Sequence, residues 1–301
     1  MPGYTKNLFI LPFDHRGSFV KKLLGKEGSL TPEDKDYIIS QKKIIYQAFK
    51  KAIKEKVPKE NAAILIDEEF GDEILKDASL NGINIILTVE KSGQKEFTFE
   101  YDDFENHIEK YNPSFVKVLI RYNPDDDNLS KKRQQEKLKK LSDYCAGKNN
   151  KFLLEVLVIA TKEQLLKANG SKKEYINSQR PFLAARAIEE LQNSGIEPDV
   201  WKLEGTESRT GYEEIVKIAT REKRDQVGVI VLGGGQEREE VERWIKIARE
   251  VKGIIGFAVG RTIFWQPLLD LKSGKITKEE TIHKISENFT YFTNIFRGKE
   301  K

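Results

Sequence analysis

The chain has 301 residues, enough to bury one large α/β core, and its 52 Lys and Arg stand against 48 Asp and Glu for a formal charge of only +4. So slight an excess, spread through mixed-sign surface, offers no stripe that could track a phosphate backbone, and nucleic acid is not an expected partner. One cysteine, Cys145, excludes an internal disulfide and a zinc site built from thiolates. The opening MPGYTKNLFILPFDH lacks a secretory leader pattern and no apolar run nears the length of a membrane span, so a cytoplasmic protein with no membrane partner is expected.

Short apolar runs alternate with longer, charge-rich stretches along the whole chain. The first run covers 8–13 and leads into Asp14-His15-Arg16-Gly17-Ser18. Thr31-Pro32-Glu33-Asp34 then reads as a helix N-cap with proline and acids in the first turn, opening an amphipathic helix that reaches residue 56. Further runs fall at 62–66, 83–87, 115–119, 152–157, 199–203, 227–232 and 254–257. Runs this short and continuous suit strands buried on both faces, and the intervals suit crossover helices. Asn112-Pro113-Ser114 and Glu197-Pro198-Asp199 stop helices just before strands, because the residue preceding proline is driven out of the helical region. The segment 131–148 is charged enough to be expected as a solvated helix.

Eight runs are the number that closes a parallel barrel. An open doubly wound sheet shares the alternation, but it would carry a glycine-rich nucleotide fingerprint after its first strand, where this chain has Phe-Asp-His-Arg-Gly-Ser. The expected fold is therefore α/β, a single-domain (β/α)8 barrel over 1–301.

In such a barrel only residues at the C-terminal ends of strands reach the active-site mouth. That filter leaves Asp14, His15 and Arg16 after the first strand, Asp67, Glu68 and Glu69 after the second, Lys117, Glu155 and Lys202 within the fourth to sixth, Gly233, Gly234 and Gly235 after the seventh, and Gly260 and Arg261 after the eighth. Lys117 and Lys202 each interrupt a strand that is otherwise apolar. Burying an ammonium costs several kcal/mol unless it is paired or loses its proton, so each is either ion-paired inside the barrel or an activated amine. Two lysines and a glutamate facing one cavity are the arrangement in which an amine can attack a ketone. The glycine triplet and the Gly260-Arg261 turn stand where barrels commonly hold phosphate.

Three histidines, none at metal-ligand spacing, argue against a zinc-dependent mechanism; His107 and His283 are expected at the surface. Asp67-Glu68-Glu69 could hold magnesium, but pairing with lysine or arginine is the plainer expectation, so no metal or cofactor is assigned. Trp201, Trp244 and Trp265 are expected to pack rather than to stack on a ligand.

Phe-Asp-His-Arg-Gly-Ser-Phe, Ile-Asp-Glu-Glu-Phe-Gly, Phe-Val-Lys-Val-Leu-Ile-Arg-Tyr-Asn-Pro-Asp, Phe-Leu-Leu-Glu, Asp-Val-Trp-Lys-Leu-Glu and Gly-Phe-Ala-Val-Gly-Arg-Thr-Ile-Phe-Trp, in that order, resemble class I aldolases. More narrowly they are similar to the 2-deoxy-5-keto-gluconate 6-phosphate aldolase domain of inositol catabolism, related to tagatose 1,6-bisphosphate aldolase. The resemblance implies that Lys202 forms the Schiff base, Glu155 is the acid/base, Lys117 tunes both, Asp14 is an active-site carboxylate and Arg261 a phosphate ligand. It implies a phosphorylated keto-sugar acid as substrate, cleaved to dihydroxyacetone phosphate and malonate semialdehyde, with a homo-oligomer an open possibility. His15 stands where the tagatose branch tends to carry glutamine. A ketohexose bisphosphate substrate, or a sugar-phosphate-binding protein without turnover, are the alternatives.

Overall fold

The computed structural model of the chain describes residues 2–300. The eight runs form β1 (Leu8–Pro12), β2 (Ala62–Ile66), β3 (Asn84–Thr88), β4 (Phe115–Arg121), β5 (Lys151–Leu157), β6 (Val200–Glu204), β7 (Gly228–Leu232) and β8 (Ile254–Ala258). They pair in parallel, in chain order, and β8 returns to β1, so the sheet is a closed barrel of the (β/α)8 type. Each strand hides both faces, but against different neighbours. Leu8, Ile10, Leu65, Ile86, Phe115 and Val200 fill the barrel interior. Phe9, Leu11, Ile64, Val116, Trp201 and Val231 point outward into the larger core shared with the helices. Gly256 in β8 leaves no choice of residue, because a Cβ there would lie 1.8 Å from the Leu8 carbonyl oxygen.

The surrounding helices are α1 (Gly17–Leu24), α2 (Pro32–Glu55), α3 (Asp72–Leu80), α4 (Phe104–Tyr111), α5 (Asn128–Lys148), α6 (Lys162–Lys167), α7 (Lys172–Glu174), α8 (Arg180–Asn193), α9 (Arg209–Ala219), α10 (Arg238–Ala248), α11 (Arg261–Lys272) and α12 (Lys278–Phe296). Thr31 caps α2 as expected: its side chain accepts from the Asp34 N–H and the Asp34 carboxylate accepts from the Thr31 N–H, satisfying two end donors. The charged helix α5 departs from expectation. Lys131, Gln134, Leu138, Leu141, Ser142 and Cys145 are buried along one face, so it packs on the barrel and only its other faces are solvated.

Two excursions were not legible in the sequence. Between β3 and α4 the chain doubles back, with Glu90 bridged antiparallel to Phe99. Between β5 and α8 it makes α6, α7 and a π-helical turn over Tyr175–Gln179. Trp201 and Trp244 are buried and Trp265 packs edge-on against Phe19, as packing residues do. Among the described residues no helix is long and apolar enough to cross a membrane.

Candidate active site

Alternation along the strands places the lysines. Phe115, Leu153 and Val200 face the barrel interior, so Lys117, Glu155 and Lys202, each two residues on, face it one layer nearer the mouth. The β5–β6 register sets Glu155 beside Lys202. Lys117 Nζ donates to Asp14 Oδ2 at 2.9 Å and to Glu90 Oε1 at 2.6 Å, and lies 3.2 Å from Glu155 Oε2. That same Glu155 oxygen is 2.6 Å from Lys202 Nζ. One carboxylate oxygen therefore links two ammonium groups that are almost wholly buried, Lys117 at 1% and Lys202 at 4% exposure.

The charges act on one another. Burial alone would push the Asp14 carboxyl up, but the Lys117 ammonium, helped by His15 and Lys202, holds it far below the usual carboxylate range. Glu155 is likewise held low, its burial outweighed by Lys202 and Lys117. Lys117 moves upward: burial opposes its charge, and Asp14, Glu90 and Glu155 more than compensate. Lys117 is a fixed cation. Lys202 has a single carboxylate, Glu155, within ion-pair distance.

Glu90 completes this cluster and is absent from the sequence-derived site. Thr88 hydroxyl donates to its other oxygen, Oε2, and Arg16 donates to its main-chain carbonyl at 2.5 Å. Arg16, expected among the substrate-binding residues, is a clamp instead. Its guanidinium is buried and also donates to Glu100 Oε2 at 2.7 Å, so both ends of its fork are taken by the doubled-back segment that carries Glu90.

His15 does line the mouth. Its Nδ1 is buried without a hydrogen-bond partner among the described residues, and desolvation, only partly opposed by Asp14, pushes the imidazole down to about 4. The ring of the unfolded chain takes a proton as pH falls through about 6.5, whereas the folded one stays neutral to about 4. The unfolded state therefore binds the proton first, and stability falls as pH drops across that window, by about 3 kcal/mol at its full extent. His15→Gln should flatten this part of the pH dependence, as read from urea unfolding at pH 7, 5.5 and 4.

The expected phosphate loops also converge. Gly234 and Gly235 have φ of +61° and +79°, conformations glycine adopts at no steric cost. Arg261 opens α11 and its Nη2 donates to the Gly234 carbonyl at 2.5 Å. A Cβ on Gly235 would stand 2.6 Å from the guanidinium carbon, so only glycine allows this approach. Burial pulls the Arg261 pKa down, with Asp14 and Glu155 pulling the other way. Gly233 N–H donates to the Ala258 carbonyl at 3.1 Å and ties the β7 loop to β8. Gly260 precedes α11 with no side-chain cap.

The carboxylates after β2 are engaged elsewhere. Asp67 forms a buried ion pair with Lys42 and accepts from the Phe70 N–H at 2.8 Å. Glu68 meets His107 Nδ1 at 2.5 Å and Lys110 at 2.8 Å. His107 is thus half-buried, stacked on Tyr101, and not the surface residue expected; His283 is exposed. Glu69 alone of the three borders the mouth. The whole site opens into a cavity of about 820 Å³ reaching from the glycine triplet to the doubled-back segment.

Fold and site together define a parallel eight-stranded barrel protein with a buried lysine–carboxylate cluster at the C-terminal ends of its strands. Residues 3–300 match the family described as "Uncharacterized protein conserved in bacteria (DUF2090)", and the chain belongs to that family. No curated protein matches it in sequence. Among solved structures it is similar to an archaeal fructose 1,6-bisphosphate aldolase, at 15% identity and TM-score 0.59 over 98% of this chain and 95% of that one. It is also similar to the Plasmodium falciparum fructose-bisphosphate aldolase crystallised with TRAP and an inhibitor, at 14% identity and TM-score 0.66 over 99% and 92%. A Schiff-base-forming fructose-1,6-bisphosphate aldolase matches at 15% identity and TM-score 0.55 over 93% of each chain. Likeness at such identities concerns the fold.

Proposed function

We propose that this protein is a Schiff-base aldolase acting on a phosphorylated keto-sugar, with 2-deoxy-5-keto-gluconate 6-phosphate as the candidate substrate and dihydroxyacetone phosphate and malonate semialdehyde as products. The observation that carries the reading is the Glu155 oxygen shared by Lys117 and Lys202. If Lys202 loses its proton, Glu155 still has Lys117 to balance it. If Lys117 lost its proton, Asp14 and Glu90 would be left with no lysine within ion-pair distance, because Lys202 reaches only Glu155. The asymmetry supports reading Lys202 as the nucleophile and Lys117 as the permanent charge.

In the forward direction the neutral Lys202 amine adds to the substrate ketone and water leaves, giving an iminium. The iminium carries the same single positive charge as the ammonium it replaces, so the carboxylate already in place stabilises it without rearrangement. The carbon–carbon bond then breaks: its electron pair passes to the iminium as an enamine, and the hydroxyl of the departing half loses its proton to Glu155 as the aldehyde forms. Return of that proton to the enamine carbon and addition of water release the ketone and restore Lys202.

Arg261 and the Gly233–Gly235 turn are proposed to hold the phosphate, with Gly260 allowing the backbone near it and His15 offering a neutral imidazole to a substrate hydroxyl. Loss of one charge-assisted contact is worth about 1.5–3 kcal/mol, so Arg261→Ala should raise KM for a phosphorylated substrate roughly 10- to 100-fold with a smaller change in kcat. The function is tested by incubating the protein with dihydroxyacetone phosphate and borohydride and mapping the adduct by mass spectrometry. A reduced adduct on Lys202 is expected; binding of the ketone without any label there would sink the mechanism.

A further inference from the structure

We infer that Glu204 handles the water of the reaction: it gives a proton to the hydroxyl that leaves when the iminium forms on Lys202, and takes one from the water that later hydrolyses it. This rests on the aldolase reading above and adds to it a second acid/base group, separate from Glu155.

Strand geometry places the residue. Val200 faces the barrel interior, so Lys202 and Glu204 continue the same inward row toward the mouth. Two residues along a parallel strand are about 6.6 Å. A carbon bonded to the lysine nitrogen, its hydroxyl and one hydrogen bond of about 2.7 Å can span such a gap. The register sets a leucine on either side: Val156 pairs with Leu203, which brings Leu157 level with Glu204, and Glu204 pairs with Leu232. All three border the cavity. Of the cavity-lining side chains that β5, β6 and β7 supply, Glu204 is therefore the one titratable group on the solvent side of Lys202. Its side chain is 21% exposed, against 5% for Lys202, so water meets the carboxyl before it meets the amine.

The carboxyl is aimed. Arg180, at the start of α8, donates from Nη1 to Oε1 at 3.1 Å, and the Val158 N–H donates to Oε2 at 3.1 Å. Arg180 is itself buried and fixed, with Nη2 bonded to the Gly205 carbonyl and its guanidinium 6.0 Å from the Trp244 ring. Each Glu204 oxygen thus takes one protein donor and keeps a lone pair for a ligand.

Charge then divides the work between the two glutamates. Lys117 keeps Glu155 ionised even while Lys202 is neutral, so Glu155 is ready to take the proton of a substrate hydroxyl and is a poor donor. Burial pushes the Glu204 carboxyl up, Arg180 and the Val158 N–H pull it back, and Glu155 adds to the rise. Neighbouring carboxyls driven apart in this way separate into a base and an acid.

The steps balance. Addition of the neutral amine to the ketone, with one N–H proton passing to the oxygen, gives a carbinolamine. Its hydroxyl takes the Glu204 proton as the C–O bond breaks, the nitrogen lone pair closes the C=N bond, and water and an ionised Glu204 remain. At the end of the cycle water attacks the iminium carbon, the C=N pair returns to nitrogen, and Glu204 recovers a proton from that water.

The test separates the water steps from the carbon steps. Dihydroxyacetone phosphate is mixed rapidly with the protein, and the Lys202 adduct is trapped with borohydride at successive times and read by mass spectrometry. In Glu204→Gln the adduct should form roughly 100-fold more slowly or worse, the scale of a lost general acid. The adduct, once fully formed, is then diluted into D2O, and deuterium uptake at the enamine carbon should proceed at the wild-type rate, because Glu155 is intact. Glu204→Gln leaves Arg180 without its carboxylate, so Glu204→Gln with Arg180→Met is run beside it and should show the same selective loss. Adduct formation at the wild-type rate in either variant, or formation and deuterium uptake slowed alike, overturns the assignment and leaves the aldolase reading standing. No adduct on Lys202 in the wild type removes both.

Discussion

Replacing Lys202 with methionine should lower kcat by roughly 10⁴-fold or more and abolish borohydride-dependent labelling, while leaving the protein folded. The size follows from the chemistry: without the amine there is no iminium to accept the electron pair of the breaking bond, and loss of a covalent nucleophile costs on this scale. At about 1.4 kcal/mol per factor of ten, the transition state loses at least about 5 kcal/mol. Retention of the fold follows from the pairing. Glu155 would keep Lys117 at 3.2 Å, so the substitution leaves no buried carboxylate without a cation. Methionine also fills much of the space of the lysine stem within the barrel. Kinetics, mass spectrometry and a thermal melt together check the prediction. A methionine variant that still turns over within a hundredfold of the wild type would mean that the ketone is activated by something other than this amine.

The same alternation shows why part of the site was legible in the sequence and part was not. Lys117 and Lys202 stood out because a charged residue inside an apolar run violates the composition of a doubly buried strand. Glu90 obeys the same rule, since Ile86, Thr88 and Glu90 continue one inward row, but the apolar run ends at Leu87 and the row crosses into a segment that reads as polar loop. Extending the period of two past the end of the run would have found it.

Arg16 misled in the opposite sense. Its place after β1 fits a substrate ligand, but whether a guanidinium meets a substrate or a neighbouring loop depends on the partner residues Glu90 and Glu100, more than seventy positions away in the chain. The outline of the barrel was readable because each strand must be apolar on both faces whatever its neighbours are. The excursion between β5 and α8 was not, because α6 and α7 are six and three residues long, too short to show an apolar period, and α6 is held in part by polar contacts such as Gln164 Nε2 donating to Asn123 Oδ1 at 3.1 Å.

Lys117→Met tests the electrostatic frame of the site rather than its nucleophile, and should destabilise the protein by about 3–5 kcal/mol at pH 7, the usual cost of removing one partner from a buried charge cluster. The sign of its pH dependence is more telling than its size. In the wild type Asp14 is held below the ordinary carboxylate value by Lys117, so its contribution to stability is present above about pH 4, where the unfolded chain ionises, and disappears as pH falls further.

Without Lys117 that attraction is gone, and burial pushes Asp14 above its unfolded value. The folded variant then takes up protons before the unfolded chain does, so acidification from pH 7 toward 5 stabilises it relative to the wild type. His15 titrates in the same window, so the quantity to measure is the difference between variant and wild type in urea unfolding at each pH. The deficit should be largest at pH 7 and shrink toward pH 5. A deficit that stays constant, or one that is absent at pH 7, would show that Asp14, Glu90 and Glu155 do not depend on this ammonium. Lys117 would then not be the fixed charge that lets Lys202 act as a neutral amine.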